Sequence, residues 1–542
     1  MRKFCLYWHT IKYLKIKQIL YRFWHHLFQK KVSIVVDNKA LQVRPLSASP
    51  KLFIKKKIDC FVQDNIIFLN HSVKTGNNIW NDEKQEKLWL YNLHYFDMLN
   101  SSNIEQSKIA YHLLERWIKE NPTFIGNGWE PYPLSLRIIN IIKYSLSGAS
   151  ISKEVRKSLY IQARFLYKNC EYHILGNHLF ENFKALCFAG LYFHTEETKK
   201  WFKKGFKGLE RELQEQLLSD GGHFELSPMY HCIILEGLLD LENILRLYKY
   251  APGFPWCEKI KKMLYWLMKM QRSNNELSYF NDTANEIVVS PKEILAYAKA
   301  LGYDISFSQQ DMTYLSASGY FVLQNQRAKT IFDVANVGPD YLPGHAHADT
   351  LSFELYIDNL PVFVNLGTSC YGLSARRIFE RGTAAHNTLT VNNENSSEVW
   401  SSFRVAKRAI AKLLTLYKDG DKIKIKAKHN GYSRIKRGMV HTRTWIFTKN
   451  SLEILDQINK KFTIAKNYFH LHPDCLIIEE QSQIVTILLP NLSEIKVQIE
   501  GKYNIIDNQY AQSFGELKPT RSICVRLNQQ TRSSQVKIIW QQ

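Results

Sequence analysis

The chain has 542 residues, of which 45% are hydrophobic and 13% aromatic, a composition that predicts two to four globular, core-forming units. Its nine cysteines are widely spaced and form no CxxC pair, which excludes a disulfide framework and a zinc ribbon. Lysine and arginine outnumber the acidic residues by 72 to 50, a net charge of +22. This charge favours polyanions (nucleic acid, anionic lipid or acidic polysaccharide), and a basic surface without such a partner is the alternative.

The first 31 residues are basic and aromatic, and charged residues interrupt every apolar run. The segment therefore lacks the apolar region of a signal peptide and is too polar to span a bilayer. Its apolar residues recur at roughly helical spacing, which predicts an amphipathic helix with Ile11, Leu14, Ile19, Phe23 and Leu27 on one side. Two interpretations stay open: this helix packs on the protein body, or residues 1–31 contact an anionic membrane peripherally.

Residues 33–72 are mixed and contain short β-type runs at 33–36 and 66–69. From about 80 to 305, apolar residues recur with the helical period, and turn residues separate the segments. Helices of this length joined by short links stack as antiparallel hairpins, and eight or more can close into a ring or a solenoid. The predicted helices are 104–119, 134–147, 153–169, 178–194, 198–217, 229–249, 257–271 and 291–302.

After about residue 312 the pattern changes to alternation, the period of β-strands. Closely spaced strands without helices between them indicate antiparallel sheets in a layered sandwich, forming a domain separate from the helices, with a ligand cleft where the two meet. We predict an N-terminal segment at 1–75, a helical domain at 76–308 and a β domain at 309–542. The predicted strands are 319–324, 329–336, 351–357, 361–366, 387–392, 421–427, 441–448, 452–458 and 484–489.

The stretch 176–182 opens an apolar helix and contains three polar residues of interest, Asn177, His178 and Glu181. Asn177 is suited to be the N-cap. His178 and Glu181 are three residues apart and share a helix face, so the carboxylate could fix the tautomer of the imidazole. A helix start with one surface ion pair is the alternative.

The stretch 220–231 forms a loop, shaped by two glycines and a proline, before the next helix. It concentrates His223, Glu225, Ser227, Tyr230 and His231. A tyrosine at such a junction can present its hydroxyl to a cleft, and a buried tyrosine with a backbone partner is the alternative.

Two histidines, His345 and His347, precede an alternating run, which predicts that a strand begins here and that both imidazoles serve one site. Half-buried histidines that only cap the strand are the alternative. Further along, Asn365 offers an oxygen and His386 a second imidazole beside His347. Three nitrogen and oxygen ligands from three strands suffice for a zinc-type site.

Taken in order, the motifs resemble those of the heparinase II/III-like polysaccharide lyases, which also include some alginate lyases. The resemblance covers most of the chain and implies an N-terminal (α/α) toroid of helical hairpins, a C-terminal antiparallel β-sandwich and β-elimination at a uronic acid of an acidic polysaccharide in the cleft between them. The motifs that carry it are 80–82, 88–96, 128–133, 177–182, 220–231, 344–349, 385–388, 395–400 and 470–473.

The resemblance also implies roles for individual residues. Asn177 and His178 would neutralise the uronate carboxylate, and Glu181 would orient His178. Tyr230 would be the base, the acid or both, with His345 as its partner across the cleft. The implied substrate contacts are Tyr91, His94, Tyr95, Trp129, Arg137 and Glu225.

Two features depart from the family pattern. Metal-binding relatives use His, Asp and His, and here the matching positions are His347, Asn365 and His386, so an amide replaces the carboxylate. One structural zinc that supports His345 is the expectation, and no organic cofactor is expected. Degradative relatives are exported, which suggests the periplasm, whereas the lack of an evident signal suggests the cytoplasm.

The leading hypothesis is therefore a polysaccharide lyase. A non-catalytic glycan-binding or surface-polysaccharide-processing protein on the same scaffold is the alternative, because fold does not imply function. Nucleic acid is not expected as a partner, since only bulk charge and no recognised motif would support it. The oligomeric state stays open.

Overall fold

The computed structural model describes residues 2–27, 30–48, 53–76, 79–250, 255–272, 274, 276–306 and 310–540. The helices lie almost entirely before residue 306 and the large sheets after residue 310, so the predicted change from α to β is confirmed. The helices are α1 (Arg2–Ile11), α2 (Ile16–Leu27), α3 (Lys87–Tyr95), α4 (Ile104–Glu120), α5 (Pro131–Leu146), α6 (Lys153–Lys168), α7 (Gly176–Tyr192), α8 (Glu196–Gln216), α9 (Pro228–Leu247), α10 (Cys257–Met270), α11 (Pro291–Ala300) and α12 (Ala375–Glu380).

Polar capping residues decide where several helices begin. Ser152 caps α6, Thr195 caps α8 and Ser227 caps α9, each accepting a free backbone N–H of the first turn. Pro228 is the first helical residue of α9, a position where its missing N–H costs no hydrogen bond. The eight helices predicted between 104 and 302 are confirmed as α4 to α11.

Helices α5, α7 and α9 are apolar and buried on nearly every side, whereas α4, α6, α8 and α10 bury one face and expose the other. The two kinds alternate along the chain. Because a helix that is buried all round must lie inside other elements, α5, α7 and α9 form an inner layer. Both α7 and α9 begin at the cavity described below.

The β part is antiparallel in every pairing between its named strands. The strands are β1 (Phe61–Val62), β2 (Asn65–Phe68), β3 (His71–Lys74), β4 (Met312–Leu315), β5 (Tyr320–Gln324), β6 (Ala328–Asp333), β7 (Phe353–Ile357), β8 (Leu360–Phe363), β9 (Leu389–Val391), β10 (Val399–Trp400), β11 (Arg404–Val405), β12 (Ala411–Asp419), β13 (Lys422–His429), β14 (His441–Phe447), β15 (Ser451–Ile458), β16 (Ala465–His470), β17 (Leu476–Gln481), β18 (Ile484–Leu488), β19 (Glu494–Glu500), β20 (Tyr503–Ser513), β21 (Glu516–Arg526) and β22 (Ser533–Trp540).

Two large sheets share one hydrophobic core. The five-stranded sheet has the order β4-β5-β6-β7-β8, and the eight-stranded sheet has the order β12-β13-β14-β15-β22-β19-β18-β17. Phe332 of the first sheet and Trp445 of the second lie 4.9 Å apart between ring centres. Strand β14 alternates buried and half-buried residues along its whole length, as the sequence pattern predicts. This part also contains a four-stranded sheet, β20-β21-β16-β9, and a two-stranded sheet, β10-β11.

Some predicted elements differ from the structure. The run at 33–36 is irregular rather than a strand, whereas the run at 66–69 is largely β2. The strand expected to begin at His345 begins only at Phe353, because residues 344–352 form turns. The N-terminal segment forms two helices, not one, and the side chain of Leu27 lies outside the described residues.

The predicted domain limit at 308 also lies outside the described residues. Within the described ranges, no helix has the length and apolarity needed to cross a membrane.

Candidate functional site

A cavity of about 650 Å³ lies between the helical and the β parts. Helices α3, α5, α7 and α9 line it from one part, and the loops around residues 342–345 and 371–372 line it from the other. Eight of the residues singled out in the sequence meet in its wall: Tyr91, Tyr95, Asn177, His178, Glu181, Glu225, Tyr230 and His345.

Unusual backbone angles place Asn177 and His178 at the cavity. Leu175 and Gly176 have φ angles of 72° and 58°, in the left-handed region. A Cβ on Gly176 would come within 2.3 Å of the side chain of Leu342, and this contact together with the positive φ favours glycine at the position. The prediction that Asn177 is the N-cap is wrong, because α7 begins at Gly176 and Asn177 lies inside its first turn.

The orientation of His178 has a different cause from the one predicted. His178 Nδ1 lies 3.3 Å from Glu171 Oε2, and its ring stacks on Tyr132 with 4.2 Å between ring centres. Glu181 instead forms an ion pair with Lys184 at 2.9 Å. Burial opposes ionisation of Glu171, but His178 holds the pKa of this carboxyl below its ordinary value. Glu171, which the sequence analysis missed, is therefore the carboxylate that orients His178.

Tyr230 is held at the start of α9, where its backbone N–H donates to Ser227 Oγ at 3.2 Å. Its ring stacks on His345 with 3.8 Å between ring centres, and its hydroxyl lies 3.1 Å from the hydroxyl of Tyr371. Burial, together with Tyr371, raises the pKa of Tyr230 well above the ordinary tyrosine value. Tyr230 therefore carries its proton at neutral pH.

Asp282 organises the residues behind the cavity. Its Oδ2 accepts from His345 Nδ1 at 2.9 Å, and its Oδ1 accepts from His347 Nε2 at 2.8 Å, so the two histidines do share one partner. Arg377 donates to both oxygens, at 2.6 Å to Oδ2. Burial opposes ionisation, but Arg377 and the two imidazoles hold the pKa of Asp282 well below the ordinary value.

Burial determines the charge of His345, and Asp282 determines its tautomer. Burial lowers the pKa of His345 below its ordinary value, although Asp282 acts in the other direction. The ring is therefore neutral near pH 7. Because Nδ1 donates its proton to Asp282, Nε2 is left as an acceptor in the cavity wall.

Glu225 is a carboxyl in the cavity wall that has an unusual environment. It is 2% exposed, and neither of its oxygens has a hydrogen-bond partner among the described residues. Its Oε1 lies 3.3 Å from the place of a Cβ on Gly176, next to Asn177. Burial and the charge of Asp282 raise the pKa of Glu225 to about 8. Near neutral pH it is therefore a protonated acid that can donate one hydrogen bond into the cavity.

Three residues next to the cavity groups in the chain have a strained backbone conformation. Leu175, Leu226 and Asn281 have side chains and positive φ angles of 72°, 58° and 56°. They lie beside Asn177, Glu225 and Asp282 along the chain. Such conformations cost about 1–3 kcal/mol each and persist only where the surrounding structure holds them.

Three predicted substrate contacts do not lie in the cavity wall. His94, Trp129 and Arg137 are each at most 4% exposed and belong to the core of the helical part. Arg137 donates to the carbonyls of His94 and Gly128, at 3.0 and 2.6 Å. As direct sugar contacts these three predictions are corrected, because no surface of these side chains reaches the cavity. Tyr91 does line it and donates to Glu130.

The predicted metal ligands meet only in part. His347 Nδ1 and His386 Nε2 are 3.3 Å apart, the separation of two nitrogens bound to one tetrahedral zinc at about 2.0–2.1 Å. Asn365 Oδ1 accepts the N–H of Asn387 at 3.3 Å, and Asn365 Nδ2 has no partner among the described residues. The two imidazoles thus fit zinc, whereas the oxygen of Asn365 accepts from Asn387 and would have to leave that hydrogen bond before it could bind an ion.

In the described parts of the chain, no group of three or more His, Cys, Asp and Glu side chains is arranged to hold a metal ion.

Four residues of this arrangement were not predicted from the sequence: Glu171, Asp282, Tyr371 and Arg377. They lie in loops or on the short helix α12. The partners of Asp282, Tyr371 and Arg377 are distant in the chain, whereas Glu171 is seven residues from His178. The polar run Asn281-Asp282-Thr283 directly after two aromatic residues was the one local signal of a shaped loop.

Known proteins resemble this chain along most of its length. The family model Heparinase II/III N-terminus matches residues 53–302, and Heparinase II/III-like, C-terminal matches residues 308–541. A heparin-sulfate lyase of Bacteroides stercoris is 24% identical over 56% of this chain and 46% of its own length. A heparin-sulfate lyase of Bacteroides thetaiotaomicron is 25% identical over 65% of this chain and 53% of its own. The chain thus spans about half the length of these curated relatives.

A solved structure gives the same picture of the fold. The crystal structure of a heparinase III matches with a TM-score of 0.68 at 18% identity, over 95% of this chain and 87% of that one. At this identity the likeness shows the fold alone. Since the two family models together match most of its length, the chain belongs to the heparinase II/III-like family.

Proposed function

We propose that the chain is a polysaccharide lyase that cleaves an acidic, uronate-containing polysaccharide of the glycosaminoglycan type by β-elimination in the 650 Å³ cavity. One observation carries the proposal: a proton-bearing tyrosine, a neutral histidine and a set of carboxylate-binding donors meet in one cavity. The names of the relatives, both heparin-sulfate lyases, support the same reaction class.

The difficult step is removal of the C5 proton of the uronate, which is a very weak acid next to an ionised carboxylate. Donors that neutralise this carboxylate stabilise the enolate-like charge of the transition state. Asn177, His178 and protonated Glu225 line the cavity near one another and supply such donors. Glu171 keeps His178 in place through its Nδ1.

The protonation states of His345 and Tyr230 indicate which residue is the base and which is the acid. His345, neutral and with Nε2 free to accept, takes the C5 proton. Tyr230, which holds its proton, gives it to the departing O4. The C4–O4 bond breaks and a C4–C5 double bond forms, so the proton lost and the proton gained balance. Tyr371 keeps the hydroxyl of Tyr230 in position at 3.1 Å.

The test of this function is an absorbance screen. The purified full-length chain is incubated with a panel of uronate polymers (heparan-type, alginate, hyaluronan and bacterial capsule), and the unsaturated ends are followed in the near ultraviolet. Absorbance should rise with at least one polymer. Binding of a polymer without any unsaturated product would instead establish a non-catalytic glycan-binding protein.

The raised pKa of Glu225 leads us to expect that substrate binding weakens in alkaline solution. Below a pH of about 8 the group is neutral and donates to the substrate, and above it the carboxylate repels the uronate. Wild-type KM should therefore rise as the pH passes through about 8, whereas Glu225→Gln should keep activity and lose this rise. Glu212→Gln is the matched control, because Glu212 also has a raised pKa but does not line the cavity. The same alkaline limit in Glu225→Gln would contradict the assignment.

We also propose one structural zinc between His347 and His386, with the side-chain oxygen of Asn365 as third ligand. Bound there, the ion would link the segments that support His345. Elemental analysis of the purified chain should give about one zinc per molecule, and His386→Ala should remove it. His472→Ala, a histidine that pairs with Asp474 elsewhere, should leave the metal content unchanged. Wild-type protein without zinc would contradict this proposal.

For the architecture, we propose that the helical part is an (α/α) toroid and the β part an antiparallel sandwich, divided at 1–75, 76–308 and 309–542. The alternation of buried and amphipathic helices from α4 to α10 supports a double ring. The core shared by the five- and eight-stranded sheets supports a sandwich. An experimentally determined structure tests both shapes.

A further inference from the structure

Helices α1 and α2 each expose a row of apolar side chains to solvent. The rows are Phe4, Trp8 and Ile11 on α1, and Ile16, Leu20 and Phe23 on α2, with 49% to 75% of each residue exposed. Both rows have the spacing i, i+4, i+7, which places their members on one helix face. We call these six residues the apolar stripe. A concentration of exposed apolar residues of this kind marks an interaction surface rather than a random surface feature.

The opposite faces of the two helices are already packed on the body. Gln18 is 2% exposed, and its Nε2 donates to the carbonyls of Ile174 and Tyr341, at 3.4 and 3.3 Å. Trp400 Nε1 donates to Thr10 Oγ1 at 3.2 Å. The helices are therefore anchored without the apolar stripe, which remains exposed for another partner.

The charged residues of the segment that carries the stripe have a single sign. The first acidic residue of the chain is Asp37, and eight basic residues precede it: Arg2, Lys3, Lys12, Lys15, Lys17, Arg22, Lys30 and Lys31. Lys3, Lys17 and Arg22 are exposed on the same two helices, and Lys12 is exposed in the turn between them. Lys15 is paired with a carboxylate of the body, that of Glu215.

We propose that α1 and α2 dock the chain on an anionic lipid bilayer, with the apolar stripe at the boundary between headgroups and acyl chains. Exposed aromatic and aliphatic residues flanked by lysine and arginine are what this boundary binds: the apolar side chains enter it, and the cations meet the anionic headgroups. The helices have 10 and 12 residues and are too short to span, so they would lie in the plane of the surface.

Docking would also place the cavity beside the bilayer. Gln18 of α2 contacts Ile174 and the residue before Leu342, and both Ile174 and Leu342 line the cavity. The membrane proposal does not depend on the proposed lyase activity, since it rests on surface residues outside the cavity.

The test is co-sedimentation of the full-length chain with vesicles. Vesicles of phosphatidylcholine mixed with phosphatidylglycerol should bind at least tenfold more protein than phosphatidylcholine alone, and added salt should weaken binding by screening the charges. The variant Phe4→Ser/Trp8→Ser/Leu20→Ser/Phe23→Ser should lose at least tenfold in binding. Its circular dichroism and thermal unfolding should stay those of the wild type, because the four side chains are exposed.

The matched control is Leu476→Ser/Leu492→Ser, which removes two exposed leucines of the β part, 59% and 78% exposed, and should bind like the wild type. Equal binding to the two kinds of vesicle, or full binding by the stripe variant, would overturn the proposal. So would a wild-type dimer in size-exclusion chromatography that becomes a monomer in the stripe variant without vesicle binding, since a second copy would then cover the stripe.

Discussion

Tyr230→Phe is expected to lower the rate of polysaccharide cleavage by roughly 10²–10⁴-fold, the contribution of one positioned proton donor. The substitution removes only the hydroxyl, which lies 3.1 Å from Tyr371, and keeps the ring that stacks on His345. The loss should therefore appear in kcat, with KM little changed, in the near-ultraviolet assay of unsaturated product.

The control for this experiment is Tyr320→Phe. Tyr320 is also fully buried, and its hydroxyl donates to the carbonyl of Leu226 at 2.9 Å, outside the cavity wall. Its loss should cost about 1 kcal/mol of stability and little activity. If Tyr230→Phe kept more than a tenth of wild-type kcat, Tyr230 would not be the acid.

Asp282→Asn should lower the free energy of unfolding by about 3–5 kcal/mol, because it leaves the buried guanidinium of Arg377 without its counter-charge. Activity should fall as well, since His345 loses the carboxylate that holds its Nδ1 proton. Denaturant unfolding measures the first effect and the absorbance assay the second.

The stability difference between the wild type and Asp282→Asn should depend on pH in one direction. The pKa of Asp282 is lowered by folding, so its stabilisation is complete above the ordinary value of 3.8 and is lost as the pH falls through the folded-state value. The gap between wild type and Asp282→Asn should therefore be full at neutral pH and close in acid.

The matched control for Asp282→Asn is a substitution in an exposed ion pair. Asp507→Asn removes a carboxylate that lies 3.2 Å from Arg521 on the surface, and such pairs contribute about 0–1 kcal/mol. Equal losses of stability in Asp282→Asn and Asp507→Asn would show that the Asp282 cluster is not a buried electrostatic unit.

His345→Ala separates the two roles of the cluster. It keeps Asp282 paired with Arg377 and His347, so most of the fold stability should remain. It removes the base, so cleavage should fall by roughly 10²–10⁴-fold.

Sequence periodicity was a reliable guide to the elements that it predicted. All eight helices predicted between 104 and 302 and all nine predicted strands are present, because a buried face imposes its period directly on the residues. The predicted strands nevertheless left out β19 and β22, whose burial alternates regularly, together with β17 and β20. Strand β17 is almost fully exposed and β20 has no regular alternation, so neither carries a period.

At the candidate site, too, some predictions are confirmed and others are wrong. The motifs at the starts of α7 and α9 do bring Asn177, His178, Glu225 and Tyr230 to one cavity with His345. The spacing of three residues along α7 predicted that Glu181 would pair with His178, and this pairing is wrong. Glu181 forms an ion pair with Lys184, and the carboxylate within reach of His178 is that of Glu171.

The α and β halves, the order of the elements and the residues able to do chemistry could all be predicted from the sequence, because periodicity and residue type are local properties. Which of these groups meet depends on how distant segments pack in the folded chain. Tyr371 is 141 residues from Tyr230, and Asp282 is 63 residues from His345. Burial of His94, Trp129 and Arg137 and the protonation of Glu225 likewise depend on what surrounds each side chain. No local pattern encodes those surroundings, since they arise from packing distant segments together.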